Sequence, residues 1–264
     1  MGSNLSKERA EEMIKTFEKR SKYPDQININ QIFVDFLNPQ IGEYLLDVGS
    51  GSGVVSRLVS SKLIPEGKLL GIEISEEIIN CAYKLLPEGE IKKIITYDVA
   101  NAEDLPYTNG QFDGAFATRL LLHVSNPQKV ISELKRVVRS GGRVALMDWD
   151  FGTLAIDHSN REITRNILNW RTDHKDGNNW SGRELFRRMK IEGFKNITIK
   201  PEVSIATDEN NSLTHSIFHA ASGACKSKII SSEEYEVWMD EINARLKLGY
   251  FFASITYFLI KGIC

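Results

Sequence analysis

Short apolar runs and amphipathic stretches alternate along this chain. Runs of strand length, suited to strands buried on both faces, lie at 44–48, 67–74, 91–98, 112–118 and 143–149. Stretches with apolar residues at helical spacing lie at 54–62, 75–86 and 127–139, and the last is expected to end at 140–142. This order predicts an α/β fold, with a doubly wound, mostly parallel sheet and helices on both faces.

The pattern loosens on either side of this central region. Two helices precede the first strand, at 5–20 and 29–37, with a break around 21–25. Further helices are expected beyond residue 149, at 160–170, 182–192, 209–225 and 233–248. Strands are expected at 196–204 and 250–260. No repeat or flexible linker interrupts the sequence, so one domain with insertions, 1–264, is expected.

Three alternating glycines follow the first predicted strand. The stretch Leu45–Gly53 reads LLDVGSGSG, with Asp47 directly before the glycine turn. Glycines allow a sharp turn and bring backbone N–H groups close to a ligand. A helix begins just beyond, so the pattern predicts a nucleotide-type site at the carboxyl end of a strand.

The spacing of this turn differs from the dinucleotide fingerprint. That fingerprint needs G-x-G-x-x-G or alanine, and Val54 stands in the third position. Asp47 suits a cationic group better than a pyrophosphate, because a carboxylate attracts an ammonium. Glu73 ends the second strand, where an acid reaches a ribose diol. Polar groups at 98–106 and 118–119 complete a series suited to a ligand with amino acid, ribose and adenine parts.

The composition of the chain limits the classes of partner that it is expected to bind. The chain has 264 residues, 42% of them hydrophobic and 26% charged, and a formal net charge of −2. No strong field favours nucleic acid or an anionic membrane. The three cysteines are far apart in sequence and form no metal-binding spacing, which favours free thiols in a reducing cytoplasm. No apolar stretch approaches the roughly 20 residues of a membrane span.

Four stretches together resemble class I S-adenosylmethionine-dependent methyltransferases, near the ubiquinone/menaquinone (type 11-like) group. They are LLDVGSGSG (45–53), GIEIS (71–75), NAEDLPYTNGQFDGAF (101–116) and HVSNPQKVISELKRVVRSGGRV (123–144). The resemblance implies a Rossmann-like, seven-stranded sheet whose last strand, 250–260, is antiparallel. It also implies an N-terminal helical lid (1–40), a cofactor-binding half (41–150) and a substrate-side half with a helical insertion (151–264).

The resemblance implies S-adenosyl-L-methionine as the cofactor and also names its contacts. The expected cofactor-binding residues are Arg20, Tyr23, Asp47, Gly49, Ser50, Gly51, Gly53, Glu73, Ile74, Asn101, Ala102, Thr118 and Arg119. Asp47 should support the turn or meet the cofactor ammonium through water. Glu73 should hold the ribose, and Asn101 and Ala102 should meet the adenine. The chain departs from the usual family pattern at Asn101, which stands in place of an aspartate, and at Ser140, which stands in place of a proline.

The expected reaction is in-line transfer of a methyl group to a small-molecule acceptor. A general base is optional for a sulfonium donor, and the candidates are Arg119, His123 and Asp148, with Asp150 as a further strand-end acid. One of the tryptophans at 149, 170 and 180 is expected to contact substrate, and 218–219 are expected in the core. No metal is expected, and the assembly is either a monomer or a homodimer. The alternatives are a nicotinamide-dependent oxidoreductase and a non-catalytic S-adenosylmethionine-binding protein.

Overall fold

The computed structural model describes residues 5–174 and 177–264, and seven strands of these ranges form one mixed sheet. The strands are β1 Tyr44–Val48, β2 Lys68–Glu73, β3 Ile95–Val99, β4 Phe112–Thr118, β5 Val138–Ile156, β6 Lys195–Ala206 and β7 Ala253–Ile263. Their order is β3-β2-β1-β4-β5-β7-β6. Only β7 runs antiparallel to its neighbours, β5 and β6, which confirms the predicted topology of the sheet.

Helices surround this sheet. They are α1 Lys7–Ser21, α2 Pro24–Leu37, α3 Val54–Leu63, α4 Glu76–Lys84, α5 Glu90–Ile94, α6 Pro127–Val137, α7 Arg161–Asn169, α8 Ser181–Ile191, α9 Ser212–Lys226 and α10 Ser232–Leu248. A π-helical turn, Trp170–His174, continues α7. Residues 1–4 of the predicted lid and 175–176 of the predicted substrate-side half lie outside the described residues.

The prediction for the third strand is wrong in its first half. The segment expected as a strand over 91–98 begins with the short helix α5, and β3 starts only at Ile95. Ile91 and Ile94 are three residues apart, a helical spacing. Lys92 and Lys93 pair with Glu88 and Glu90 at 2.7 and 2.6 Å. Such i,i+3 and i,i+4 pairs support a helical turn rather than a strand.

The ends of α6 and β5 also differ from the prediction. The helix stops at Val137, and the glycines expected to end it belong to a strand that continues to Ile156. Hydrogen bonds with Cys264 explain why these glycines belong to a strand. The Gly141 N–H donates to the Cys264 carbonyl at 3.1 Å, and the Cys264 N–H donates to the Gly142 carbonyl at 2.9 Å. The last strand, β7, is accordingly displaced from the predicted 250–260.

Two helix starts differ from the sequence expectation. Pro24 begins α2 rather than breaking the chain before it, because proline suits the first helical position. Ser181 does not cap α8 from outside but is its first residue. Its hydroxyl instead donates to Asp148 Oδ2 at 2.7 Å, which ties α8 to the central sheet.

Apolar layers cover both faces of the sheet. Consecutive side chains of β1 enter different layers: Leu45 packs with Phe33 of α2, whereas Leu46 packs with Leu134 of α6. This alternation is the period-two geometry of a strand. A smaller cluster joins Ile14 of α1 to Ile78 of α4, so the first helix lies against the end of the sheet that carries the glycine turn.

The helices after β5 form a cap on one layer. The Trp170 ring contacts α9 so closely that a Cβ on Gly223 would lie 1.9 Å from it. Trp238 of α10 donates its indole N–H to Thr164 of α7 at 3.0 Å. This packing brings α9 and the π-helical turn against β5 and β7. In the part of the chain that the structure describes, no helix is both long and apolar enough to cross a membrane.

Candidate functional site

The turn after β1 depends on three glycines with positive φ angles. Gly49, Gly51 and Gly53 have φ values of 73°, 55° and 76°, a region that residues with a Cβ rarely adopt. A Cβ on Gly49 would also lie 2.7 Å from the Leu120 side chain. The alternate glycine spacing is therefore required by the backbone.

Glu73 faces this turn from the end of β2. Its Oε1 accepts the Gly51 N–H at 3.0 Å, and its Oε2 accepts the Ile74 N–H at 3.1 Å. Burial raises the pKa of this carboxyl, although both N–H groups act against the rise. Each oxygen keeps a lone pair, so the fixed carboxylate can accept two hydroxyl groups of a ligand.

The turn and Glu73 line a cavity of about 660 Å³, here called the first cavity. Many residues expected from the sequence meet there. Those that line it are Arg20, Gly49, Ser50, Gly51, Glu73, Ile74, Asn101, Ala102, Thr118, Arg119 and His123. Those that do not line it are Tyr23, Asp47, Gly53 and Asp148. His123 is an exposed residue, so it lies where the first cavity opens to solvent.

Arg119 is held in the first cavity by α2. Its backbone has a φ of 55°, and its N–H donates to the Met147 carbonyl at 2.7 Å. The guanidinium donates to Gln26 Oε1 at 3.3 Å and to Asn30 Oδ1 at 2.9 Å. Burial lowers its pKa. Both α2 partners are neutral, so the cation keeps its charge available to an anionic group of a ligand.

Helix α1 covers the glycine turn. The Phe17 ring would lie 3.5 Å from a Cβ on Gly51, and Glu18 pairs with Arg57 of α3 at 2.8 Å. Arg20 places its guanidinium 5.9 Å from the Trp149 ring centroid. Burial, and next the nearby Arg119, lower the pKa of Arg20 to about 10. The helix thus closes one side of the first cavity and adds a second cation to it.

The loop after β3 forms another part of the cavity wall. Asn101 Oδ1 accepts the Glu103 N–H at 3.0 Å, and Glu103 Oε1 accepts the Asn126 N–H at 2.8 Å. These bonds tie the loop to the start of α6. They fix the backbone of Asn101 and Ala102, the residues expected to meet an adenine ring.

Asp47 does not face the cavity, and its contacts fit the first of its two expected roles, support of the turn. It is 1% exposed, and its Oδ2 accepts the Ser56 hydroxyl at 2.5 Å. Burial raises its pKa to about 7. Because Ser56 belongs to α3, this hydrogen bond joins β1 to α3 beneath the glycine turn. Asp47 supports the turn and does not contact a ligand in the cavity.

Gly53 and Tyr23 also lie away from the first cavity. Gly53 precedes α3, and a Cβ there would lie 2.0 Å from the Tyr97 hydroxyl. Tyr23 precedes α2, and its ring centroid is 5.2 Å from that of His215. The alternate spacing put Gly53 in the predicted set, but Gly53 is the last residue of the turn before α3 and lies against Tyr97 rather than the cavity.

Asp148 and Asp150, the two acids expected after the fifth strand, both bond to side chains of α8. Asp148 is buried, accepts the Ser181 hydroxyl and has its pKa raised by burial to about 7. Asp150 is buried and pairs with Arg183, whose Nη2 lies 2.9 Å from Oδ1. The candidate catalytic acid Asp148 therefore sits behind the cavity wall, because α8 covers it.

A second cavity of about 320 Å³ adjoins the first. Five residues line both cavities, namely Thr16, Arg20, Trp149, Arg171 and His219. Trp170 lines the second cavity, whereas Trp180 lies on the surface beneath the Arg183 guanidinium, at 4.0 Å. Two tryptophans rather than one therefore face the cavities.

Sequence reasoning missed several residues of this site. His219 was expected in the core, yet it is exposed and lines both cavities. Gln26 and Asn30 are buried polar residues on α2, and their polarity on an apolar helix face is a signal the sequence did contain. Arg171 lies in the π-helical turn, just beyond the end of the helix expected at 160–170.

The residues described do not arrange a metal site. Across 5–174 and 177–264, no group of three or more His, Cys, Asp or Glu side chains is placed to hold a metal ion. The two cavities suit a different role. They can bind one ligand that carries a diol and, in contact with it, a second ligand.

Comparisons with known proteins agree with this arrangement. Residues 46–146 match a protein family described as a methyltransferase domain. An uncharacterised 37.1 kDa protein in transposon TN4556 of Streptomyces fradiae is 28% identical over 87% of this chain and 65% of its own length. A demethylmenaquinone methyltransferase of Symbiobacterium thermophilum is 31% identical over 40% of this chain and 43% of its own length. The chain thus spans less than two thirds of either relative.

Solved structures share the fold. A protein of Bacillus halodurans C-125, described as a candidate methyltransferase, superposes with a TM-score of 0.59 at 18% identity. The match covers 89% of this chain and 97% of that protein. At this identity the likeness concerns the fold alone, so the site has to be interpreted from its own residues.

Proposed function

We propose that this chain, whose residues 46–146 match a methyltransferase domain, is a class I S-adenosylmethionine-dependent methyltransferase that transfers a methyl group to a small-molecule acceptor. One observation carries the proposal: the glycine turn and the Glu73 carboxylate face a cavity that shares a wall with a second one. A donor and an acceptor can then be held side by side, as transfer between two bound molecules requires.

The residues of the first cavity fit the donor. Glu73 would hold the ribose hydroxyls, since both of its oxygens are fixed by backbone N–H groups. Asn101, Ala102 and Ile74 would contact the adenine. Arg119 and Arg20 supply cations for the carboxylate of the methionine part. S-adenosylmethionine supplies a methyl group bound to a sulfonium, which is a good leaving group.

The protein's own contribution is orientation and the exclusion of water. Helix α1 covers the glycine turn through Phe17 and is fastened to α3 by the Glu18–Arg57 pair. The shared wall is formed in part by Trp149 and His219. An acceptor atom at this wall would face the first cavity in line with the donor. His219 also stands within reach of both cavities as a proton acceptor for acceptors that need one.

The alternatives differ in the features that they need from the structure. A non-catalytic binding protein needs no acceptor space, whereas here a second cavity opens directly beside the first. A nicotinamide-dependent oxidoreductase needs the dinucleotide fingerprint, and α3 begins at Val54, where that fingerprint has its third glycine. The buried position of Asp47 removes one argument against a pyrophosphate, so the spacing and the family match carry this distinction.

Calorimetry combined with product analysis tests the proposal. We expect S-adenosylmethionine and S-adenosylhomocysteine to bind at micromolar concentration, and NADH not to compete with either. Incubation with methyl-labelled S-adenosylmethionine and an acceptor library should then transfer the label to a small molecule. Binding of NADH in preference to S-adenosylhomocysteine would refute the proposal. Binding without transfer to any acceptor would favour the non-catalytic alternative.

A further inference from the structure

The second cavity has an unbalanced charge. Lys19, Arg20 and Arg171 contribute cations to its lining, and no carboxylate lines it among the residues that the structure describes. The carboxylate of Asp25 lies behind Ser212, and Ser212 and Gln26 hydrogen-bond to its oxygens. The first cavity, by contrast, contains carboxylates of its own. Cations without local neutralisation favour an anionic ligand in the second cavity.

Arg171 is the best placed of these cations. It is 8% exposed, and no salt bridge to it occurs within 5–174 and 177–264. Its Nη1 donates to Asn179 Oδ1 at 2.6 Å, and its Cζ lies 3.4 Å from the Phe151 ring centroid. Burial lowers its pKa to about 10. The guanidinium is thus held in a fixed plane, and its desolvation would be offset by an anion that accepts its remaining N–H groups.

Trp149 belongs to the same wall and lines both cavities. Its indole N–H is closed off from solvent and has no acceptor among the described residues. The faces and edges of the ring, rather than the N–H group, are therefore what Trp149 offers to a ligand in the cavity.

Aromatic rings form a large part of the remaining lining. Tyr23, Phe151, Trp170 and Tyr257 line the second cavity together with Trp149. Small-molecule pockets span roughly 300–1,000 Å³, so a volume of about 320 Å³ suits a ligand of one or two rings. Planar rings also pack well against aromatic side chains.

We propose that the acceptor bound in the second cavity is a small aromatic acid, with its carboxylate on Arg171 and its ring between the aromatic walls. Arg171, Trp149 and His219 all line both cavities, so the bound acid lies beside the wall that the two cavities share. This assignment rests on the methyltransferase function proposed above, because it takes the second cavity as the acceptor site.

The test compares matched probes by calorimetry in the presence of saturating S-adenosylhomocysteine. The probes are 3,4-dihydroxybenzoate, its neutral methyl ester, and octanoate, an aliphatic acid. A charge-assisted pair with a buried guanidinium predicts at least about tenfold tighter binding of the aromatic acid than of the ester. Octanoate should also bind more weakly. Equal binding of acid and ester, or no binding of the acid at millimolar concentration, would overturn the proposal. Equal binding of octanoate would overturn its aromatic part.

Substitutions at Arg171 test whether this residue causes the preference for the acid over the ester. Arg171→Met, again with S-adenosylhomocysteine at saturation, should abolish the preference for acid over ester. Arg165→Met, which removes a charge from the exposed side of α7, should keep the preference. If Arg171→Met fails to fold, Arg171→Lys should reduce the preference in part, because an ammonium cannot reproduce the bidentate contact of a guanidinium with a carboxylate. A preference that survives both Arg171 variants would refute the role of this wall.

Failure of the two proposals can be told apart. If S-adenosylhomocysteine does not bind but the acid binds with its Arg171-dependent preference, the methyltransferase proposal falls and the anion site stands. If S-adenosylhomocysteine binds and label transfer occurs only to neutral acceptors, the methyltransferase proposal stands and the aromatic acid is refuted.

Discussion

Replacement of Asp148 by asparagine separates a structural acid from a catalytic one. Asp148 comes directly after the part of β5 that pairs in parallel with β4, at the sheet edge where acids often serve chemistry. In this protein it is buried, bonded to the Ser181 hydroxyl and absent from the linings of both cavities. We expect the Asp148→Asn variant to keep methyl transfer and to change the dependence of stability on pH.

The size of this change follows from the raised pKa. Burial moves the pKa of Asp148 from 3.8 to about 7. Between these values the folded protein binds more protons than the unfolded chain, so stability falls as the pH rises through this window. Full ionisation costs the fold up to about 4 kcal/mol, at 1.36 kcal/mol for each pH unit. Asp47, whose pKa burial also raises to about 7, contributes a similar loss that the variant retains.

Urea unfolding followed by tryptophan fluorescence, from about pH 5 to pH 8, measures this directly. The wild type should lose stability as the pH rises, and Asp148→Asn should lose less, because only the losses from Asp47 and Glu73, whose pKa values burial also raises, remain. At pH 8 the variant should be the more stable by about 1–3 kcal/mol, since an amide without an acceptor offsets part of the gain. Asp113→Asn is the matched control. Burial opposes but does not cancel the lowering of the Asp113 pKa by Tyr44 N–H and Arg139, so the slope should stay unchanged.

Two outcomes would refute this account of Asp148. A variant with the wild-type slope would show that Asp148 is ionised in the fold throughout this pH range. A variant that binds S-adenosylhomocysteine normally but loses methyl transfer would show that the carboxylate acts in the reaction despite its position behind the wall.

Three further changes test the first cavity. Glu73→Ala should weaken S-adenosylhomocysteine binding about 100-fold in calorimetry, because two hydroxyl acceptors are lost, whereas the exposed Glu66→Ala should not; equal affinities would remove Glu73 from the site. Gly53→Ala should lower the free energy of unfolding by about 2 kcal/mol or more, and a neutral effect would contradict the contact with Tyr97. Arg57→Gln should weaken cofactor binding by about threefold to tenfold and speed proteolysis before α2, and unchanged proteolysis would argue against α1 as a fastened cover.

The lining of the first cavity was largely predictable from the sequence, because its signals are local. A parallel strand, a turn that needs positive φ and a helix start follow one another within a few residues, so Gly49, Gly51 and Glu73 could be placed from spacing alone. The same local logic left two roles open for Asp47. An acid at a strand end points either to the ligand or to the next helix, and Ser56 decides between them through a contact made across α3.

The lining of the second cavity was less predictable, because its residues come from elements that are distant in sequence. Arg20, Trp149, Arg171 and His219 meet from α1, β5, the π-helical turn and α9. Trp149 was among the sequence candidates, but nothing in the sequence around His219 distinguishes it from a core residue. Its exposure depends on how α9 packs on Trp170 across Gly223.

The π-helical turn extends the helix past residue 170, where it was expected to end, and so takes in Arg171. Arg171 follows Ile163 and Ile167 at steps of four residues and continues their buried side of the helix. A π turn adds a residue to the repeat and rotates the residues beyond it. Such turns are uncommon and recur at functional sites, and here the turn places an arginine over the Phe151 ring. The irregular backbone and a buried cation with no carboxylate partner in the described ranges therefore indicate the same feature, a wall shaped for an anionic ligand.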